Sequence, residues 1–184
     1  MGNTSATGGY LSPAVVSPPL EDDELDKLLQ GMVKGITGLS GDLVRPRWQP
    51  KPPKQPEPSV NWCAIGVTVT EPDASPSIEH DGTDDGQDNL QRHEDIELAC
   101  TFYGPLGKSY AALLRDGLSI PQNTAVLRAQ GMGLVECGAA RSVPELVNQQ
   151  WVKRYDMTVK LRRQVKRSYP VLNLLSADPQ LISD

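Results

Sequence analysis

The chain has 184 residues, which is the length of one domain with additional segments, and its formal net charge is −5. Hydrophobic residues make up 38% and aromatic residues 5%, with 16 glycines and 16 prolines, so we expect loops and arms around a modest core that favours an oligomer. No run approaches the roughly 18 apolar residues of a membrane span, and three cysteines without CxxC spacing are too few for a disulfide framework.

The first 37 residues predict a flexible arm and then a helix. Residues 1–20 are small, polar and rich in proline and glycine, which indicates an arm that is ordered only against a partner. In residues 21–37 apolar side chains recur at helical spacing, and four acidic residues stand where the helix dipole favours them. Gly38 and Gly41 can end this helix. Its apolar stripe consists of Leu25, Leu28, Leu29, Met32, Val33 and Ile36.

A proline-rich strap and two strands follow. Residues 46–58 contain six prolines and predict a stiff, extended segment that lies on a neighbouring surface. Residues 60–70 and 92–103 alternate as strands do, and a long acidic loop, residues 71–91, joins them. The predicted inward side chains are Cys63, Ile65, Val67 and Val69 in the first strand and Ile96, Leu98, Cys100 and Phe102 in the second. Asp95, Glu97 and Thr101 are predicted to face outwards.

The last third predicts two short helices and two more strands. One helix begins at Pro105 and ends by Gly117, with Leu106, Tyr110, Leu113 and Leu114 as its apolar stripe. The next is capped by Ser119 and ends at Gly131, and residues 132–137 form a short strand. After a loop, Tyr155, Met157, Val159 and Leu161 alternate with polar residues, which predicts a half-buried strand from Tyr155 to Lys166.

This order of elements predicts an α+β fold, with a mainly antiparallel sheet and helices on one face. The extended N-terminal arm of residues 1–20 and the proline-rich strap are additions to it. We expect one domain over residues 21–175 and a C-terminal tail over residues 176–184. We expect the three cysteines to be free buried thiols, with an intersubunit disulfide left open.

Motifs for chemistry are weak. The sequence HDGTDDGQDN resembles a calcium loop, but Arg92 occupies the position that needs a bidentate glutamate, so an acidic hairpin is the better interpretation. His80 and His93 lie 13 residues apart, and nothing fixes metal-ligand spacing around them. The sequence contains no nucleophile motif, dinucleotide motif or P-loop. We therefore expect neither an enzyme nor a cofactor.

The strand near the C-terminus is strongly basic. Its basic face can pair with acids of an earlier strand, contact another subunit, or contact nucleic acid. In-chain pairing is the favoured interpretation, and the great length of the strand keeps intersubunit contact open. The candidate intersubunit bases are Arg154, Lys160, Arg162, Arg163, Lys166 and Arg167, and their candidate acidic partners are Asp95 and Glu97.

Most of the chain from about residue 20 resembles the phage neck and tail terminator proteins of tailed phages and proteobacterial prophages. The resemblance lies in a series of segments rather than in one motif. These segments are LVRPRWQPKPPKQPEP, WCAIGVTVTEPDA, IEHDG, RHEDIEL, FYGP, YAALLRDGLSIPQN, RSVPELVNQQWVKRYD and LRRQVKRSYPVLNLL.

The resemblance implies a non-enzymatic virion protein of the phage neck, assembled in the bacterial host cytoplasm. Terminators of this kind form a ring, typically a hexamer, that caps the tail tube and docks to the head-to-tail connector. The implied partners are other copies of the chain, the tail tube protein, the connector or stopper protein, a tail sheath where one is present, and DNA in transit. Because an acidic wall repels DNA phosphates, we expect five acids to line or approach the lumen. They are Glu79, Asp81, Asp84, Asp85 and Asp88.

Overall fold

A computed structural model describes residues 2–14, 18–147 and 149–174. It has a mixed α+β fold with a mostly antiparallel sheet, which confirms the predicted fold class. The chain divides into two compact units. The core unit consists of Pro19–Asp73 and His93–Gln164, and the hairpin unit consists of Met1–Pro18, Ala74–Arg92 and Val165–Asp184. The predicted C-terminal tail, residues 176–184, lies outside the described residues.

The helices of the core unit follow the predicted pattern with shifted ends. Helix α1, Asp22–Thr37, ends at Gly38, whose φ of 75° is the left-handed conformation that glycine adopts without strain. Helix α2, Gly107–Leu118, buries Leu114 of the predicted stripe and packs Tyr110 against the core, but Leu106 and Leu113 are exposed. Ala111 and Leu118 are buried in their place. Helix α3 is only Ala125–Ala129, because the residues after Ser119 form successive turns first.

The main sheet runs in the order β1, β2, β4, β9, β5. Strand β1 is Val44–Pro46 and pairs in parallel with β2, Trp62–Pro72; sequence reasoning missed it because only three residues take part. Strand β2 pairs antiparallel with β4, Gln87–Tyr103. Strand β5, Met132–Cys137, pairs antiparallel with β9, Arg154–Tyr169.

Three short strands occupy the segment predicted as a loop over residues 141–150. Strand β6, Arg141–Ser142, pairs with β9, while β7, Glu145–Val147, and β8, Gln150–Val152, form a separate two-stranded hairpin. Backbone pairing, of β6 with β9 and of β7 with β8, therefore orders this segment.

The hydrophobic core joins one face of the sheet to the helices. It contains Leu29 and Val33 of α1 with Ile65 and Phe102 of the sheet, all fully buried. The predicted inward side chains of β4 and β9 lie in this core. One prediction was wrong, because a bulge between Val67 and Val69 turns Val69 outwards. Thr101 alternates with the core residues Cys100 and Phe102 as predicted, but Arg47 donates to its hydroxyl and the side chain is only 1% exposed.

In the hairpin unit, the predicted acidic loop contains regular structure. Strand β3, Ser77–Asp81, pairs with the first five residues of β4 from Gln87 onwards, and a short turn joins the two strands. The N-terminal arm is held by backbone hydrogen bonds from Ser5 N to Pro170 O, 3.1 Å, and from Ala14 N to Ser168 O, 2.8 Å. The acidic hairpin expected from the sequence HDGTDDGQDN is therefore present, and its strands have a defined register.

Candidate assembly surfaces

The outer face of the sheet carries an ion-pair network that uses the predicted bases. Arg162 donates to Asp95, Nη1 to Oδ1 2.8 Å, and to Asp73, Nη2 to Oδ2 2.6 Å. Lys160 Nζ lies 3.2 Å from the other oxygen of Asp95. The hydrogen bonds from Arg162 and then Lys160 hold the pKa of Asp95 below its usual value. Glu97 lies close enough to add to the raised pKa of Lys160.

Arg163 lies on the opposite face from Arg162, because successive side chains of a strand point to opposite sides. Its side chain is only 5% exposed. It donates from Nε to Glu94, 2.9 Å, from Nη1 to Leu20 O, 2.8 Å, and from Nη2 to Glu21, 2.7 Å. This cation is therefore an internal tie between β4, β9 and the start of α1, and it does not share a surface with the other predicted bases.

Arg154 belongs to a stack of side chains that crosses four strands. Its guanidinium lies 5.9 Å from the ring centre of Tyr103, whose ring stacks on Trp62 with centroids 4.2 Å apart. The guanidinium of Arg45 lies over the Trp62 ring, 5.7 Å from its centre. Arg154 also forms two hydrogen bonds to Asp156, 3.0 and 2.9 Å. Because Tyr103 lies beside Arg154 while Asp95 pairs with Arg162, β4 and β9 run in opposite directions.

Next to this stack lies an arginine pocket, a cavity of about 430 Å³ lined by Arg47, Arg141, Arg154, Asp156 and Thr101, with Gly138 and Ala139 among its other walls. Arg47 Nη2 donates to the hydroxyl of Thr101. Arg47 Nε is buried and has no acceptor within the described parts of the chain. Burial alone would raise the pKa of Asp156, but the hydrogen bonds from Arg154 and Thr101 outweigh it and lower that pKa.

The acidic hairpin has two polar clusters that fix its shape. Asp81 accepts from the backbone N–H and the hydroxyl of Thr83, at 3.0 and 2.8 Å, and these hydrogen bonds lower its pKa. His80 contacts Asp88, Nδ1 to Oδ1 2.7 Å, and Asn173, Nε2 to Oδ1 2.9 Å. Those two hydrogen bonds raise the pKa of His80.

The tip of the hairpin presents free carboxylates on a fixed backbone. Asn173 donates from Nδ2 to Asp84 O, 3.1 Å, and from its backbone N–H to Asp85 O, 2.9 Å. Asp84 and Asp85 are exposed, and their carboxylates have no hydrogen bond or ion pair within residues 2–14, 18–147 and 149–174. Glu79 is exposed too, on the flank of the hairpin.

Lys166 and Arg167 lie in the hairpin unit, where both are exposed. Neither forms an ion pair among the residues whose placement is described. The predicted basic strand is therefore divided. Arg154, Lys160 and Arg162 lie on the outer face of the core unit, Arg163 points into the core, and the last two bases belong to the other unit.

Metal-ligand clusters, membrane-spanning helices and thiols can be assessed directly from the described residues. Among the described residues, no group of three or more His, Cys, Asp or Glu side chains is placed to hold a metal ion. In the same part of the chain, no helix is long and apolar enough to cross a membrane. Cys63 and Cys100 are free and buried, and Cys137 is free and half-buried.

A family model described as phage neck terminator protein matches residues 23–183. The chain belongs to the phage neck terminator family. Terminators of this family are structural components of the virion at the phage neck, which confirms the resemblance drawn from the sequence. No curated protein matched the chain.

Sequence reasoning missed several residues of these surfaces. Long-range pairing brings Arg47 and Arg141 to the arginine pocket and Asp73 to Arg162, and no local pattern marks these three residues. Arg163 and Glu94, in contrast, could have been found locally. Each lies two residues from a buried position of its own strand, Leu161 and Ile96 respectively, and so falls on the same face. Extending the alternation by one position would have placed this ion pair inside.

Proposed function

We propose that this terminator assembles as a closed ring of six copies that caps the tail tube, stops its polymerisation and docks to the head-to-tail connector. The observation that carries the proposal is the family match over residues 23–183. The partners are other copies of the chain, the tail tube protein, the connector or stopper protein and, in a contractile tail, the sheath. DNA passes through the lumen during ejection.

Exposed apolar side chains support self-assembly. Trp48 and Trp151 are each 71% exposed and Leu146 is 57% exposed. Leu146 and Trp151 stand directly opposite each other in the β7–β8 hairpin, so they form one continuous apolar spot. Exposed clusters of large apolar side chains are typical of protein contact sites. A ring of identical copies would cover them.

The acidic hairpin supports a channel that does not retain DNA. Glu79, Asp81 and Asp88 lie on its flanks, and Asp84 and Asp85 lie at its tip. We place the flanks at the lumen and the tip close to it, because a negative wall repels the phosphate backbone. A ring structure with all five acids on its outer rim would contradict this placement.

Deletion of the gene in its phage tests the terminator role. Without a cap, tube subunits continue to add, so we expect tails of uneven length and DNA-filled heads without tails. Restoring the gene should restore uniform tails. Normal tails and normal infectivity after deletion would refute the proposal. Tails of uniform length that fail only to join heads would indicate an adaptor or stopper instead.

A DNA-binding module is the alternative from another class, and the exposed Lys166 and Arg167 favour it. Such a module binds duplex DNA, and its affinity falls steeply as salt rises. We expect the purified chain to form rings and to show no salt-dependent DNA binding. Binding that disappears in a Lys166→Ala, Arg167→Ala double variant would support the alternative.

A further inference from the structure

The arginine pocket is electrostatically incomplete in the single chain. Among the described residues, three guanidinium groups line it, from Arg47, Arg141 and Arg154, together with the carboxylate of Asp156. Both carboxylates near Arg154 are already used by that residue, since Glu145 lies 3.4 Å from its Nη1 and Asp156 2.9 Å from its Nη2. The Nε–H of Arg47 is buried without an acceptor, and Arg141 forms no ion pair within the described residues. A buried donor without an acceptor is destabilising, so such groups normally have a partner. Arg47 and Arg141 therefore have no carboxylate partner in the part of the chain that the structure describes.

The geometry of the pocket favours a carboxylate. A guanidinium group presents pairs of N–H donors that match the two oxygens of a carboxylate. Arg154 already uses this pairing with Asp156, while the guanidinium of Arg47 contacts the hydroxyl of Thr101 and no carboxylate among the described residues. Gly138 and Ala139 line the pocket with small side chains and leave room for an entering group.

The hairpin tip presents two carboxylates that complement the charge of this pocket. Asp84 and Asp85 are adjacent, exposed and free of side-chain partners within the same described residues. Asn173 fixes their backbone, and Asp84 itself has a φ of 51°, which Asp tolerates better than most residues. A preformed tip loses little conformational entropy when it docks.

We propose that the hairpin tip of one copy, Asp84 with Asp85, docks into the arginine pocket of the next copy. The two patches differ, so the contact is head-to-tail, and repeated contacts of this kind close into a ring when the rotation allows it. The inference rests on the proposed ring and names its intersubunit contact. It also neutralises the pocket, so that the arginines do not attract passing DNA.

A charge-swap experiment on the full chain tests this contact. Arg141→Glu and Asp85→Arg each place like charges together, and we expect each to weaken ring association by roughly thirtyfold or more. The double variant Arg141→Glu with Asp85→Arg restores opposite charges, so it should recover rings. Size-exclusion chromatography with light scattering, over a range of protein concentrations, measures the association.

Two matched controls separate this contact from net charge. Lys108→Glu and Glu136→Arg reverse exposed charges outside the pocket and the tip, and rings should persist in both. A second measurement uses Arg141→Cys with Asp85→Cys, which should give an intermolecular disulfide under mild oxidation. The unaltered chain, treated in the same way, shows how much intermolecular disulfide forms through native Cys63, Cys100 and Cys137 alone.

The outcomes are distinct. If the unaltered chain forms no ring, the proposed function fails. If it forms rings that both single variants leave unchanged, or if the double variant does not recover them, the docking contact is refuted while the ring stands. Rescue by the double variant also shows that the single variants were folded.

Discussion

Arg163→Met tests the internal ion pair between β9, β4 and the start of α1. The substitution keeps an unbranched side chain of similar length but removes the guanidinium. Arg163 is 5% exposed, and Glu94, which accepts from Nε at 2.9 Å and lies 2.8 Å from Nη2, is 16% exposed. The bonds to Leu20 O and Glu21 are lost as well.

The expected loss follows from that burial. Removing one partner of a buried ion pair costs about 3–5 kcal/mol, because the other charge stays buried without a partner. Glu94 keeps some contact with water, so we expect the lower end, about 3 kcal/mol. With a urea m value of about 2 kcal/mol/M, the midpoint of unfolding should fall by about 1.5 M.

Arg162→Met is the matched control, one residue away on the opposite face. Arg162 is 39% exposed and its partners Asp73 and Asp95 are also accessible to water, so its loss should be much smaller. Adding Glu94→Gln to Arg163→Met should recover part of the stability, since it removes the unpaired charge. Urea unfolding at one fixed protein concentration compares the three variants with the unaltered chain. A loss for Arg163→Met no greater than that for Arg162→Met would refute the reasoning.

Three further predictions concern single positions. Gly104 has a φ of 100°, and a Cβ there would lie 2.5 Å from Val60 O, so Gly104→Ala should destabilise the fold by about 2 kcal/mol or more. Gly31→Ala is the control, because Gly31 lies at an open site within α1, and it should stabilise the fold by about 0.5–1 kcal/mol. Thermal unfolding measures both variants. Hydrogen bonds to Asp88 and Asn173 raise the pKa of His80. The contribution of His80 to stability is therefore complete below its unfolded-state pKa and is lost as pH rises through its folded-state pKa. An NMR titration that gives a His80 pKa at or below that of a model peptide would contradict this prediction. Burial raises the pKa of Cys137 to about 11, so its alkylation at pH 8 should be slow, and fast labelling before unfolding would contradict the structure.

Much of the fold follows from local sequence periodicity. The parity of Ile96, Leu98, Cys100 and Phe102 predicts the buried face of β4, and the stripe of α1 predicts the helix that covers it. Periodicity fails at Val69, where one extra residue in β2 reverses the face of the side chain. It also fails for residues 71–91, because their Asp, Gly and Pro content indicates a loop, while pairing with the start of β4 supplies the order.

The candidate surfaces were predictable only in part. The pairing of Lys160 and Arg162 with Asp95 follows from the alternation of two strands that can be recognised locally. The arginine pocket does not, because it depends on where the strap after β1 places Arg47. That position is set by the parallel pairing of β1 with β2 and by the hydroxyl of Thr101, which are contacts between residues far apart in sequence.

An electron-microscopy map of the intact phage neck tests the central claim most directly. The account predicts six copies of this chain in a closed ring on the last ring of the tail tube, with the acidic hairpins towards the channel. A map that places the chain outside the neck, or as single copies without mutual contact, would contradict it.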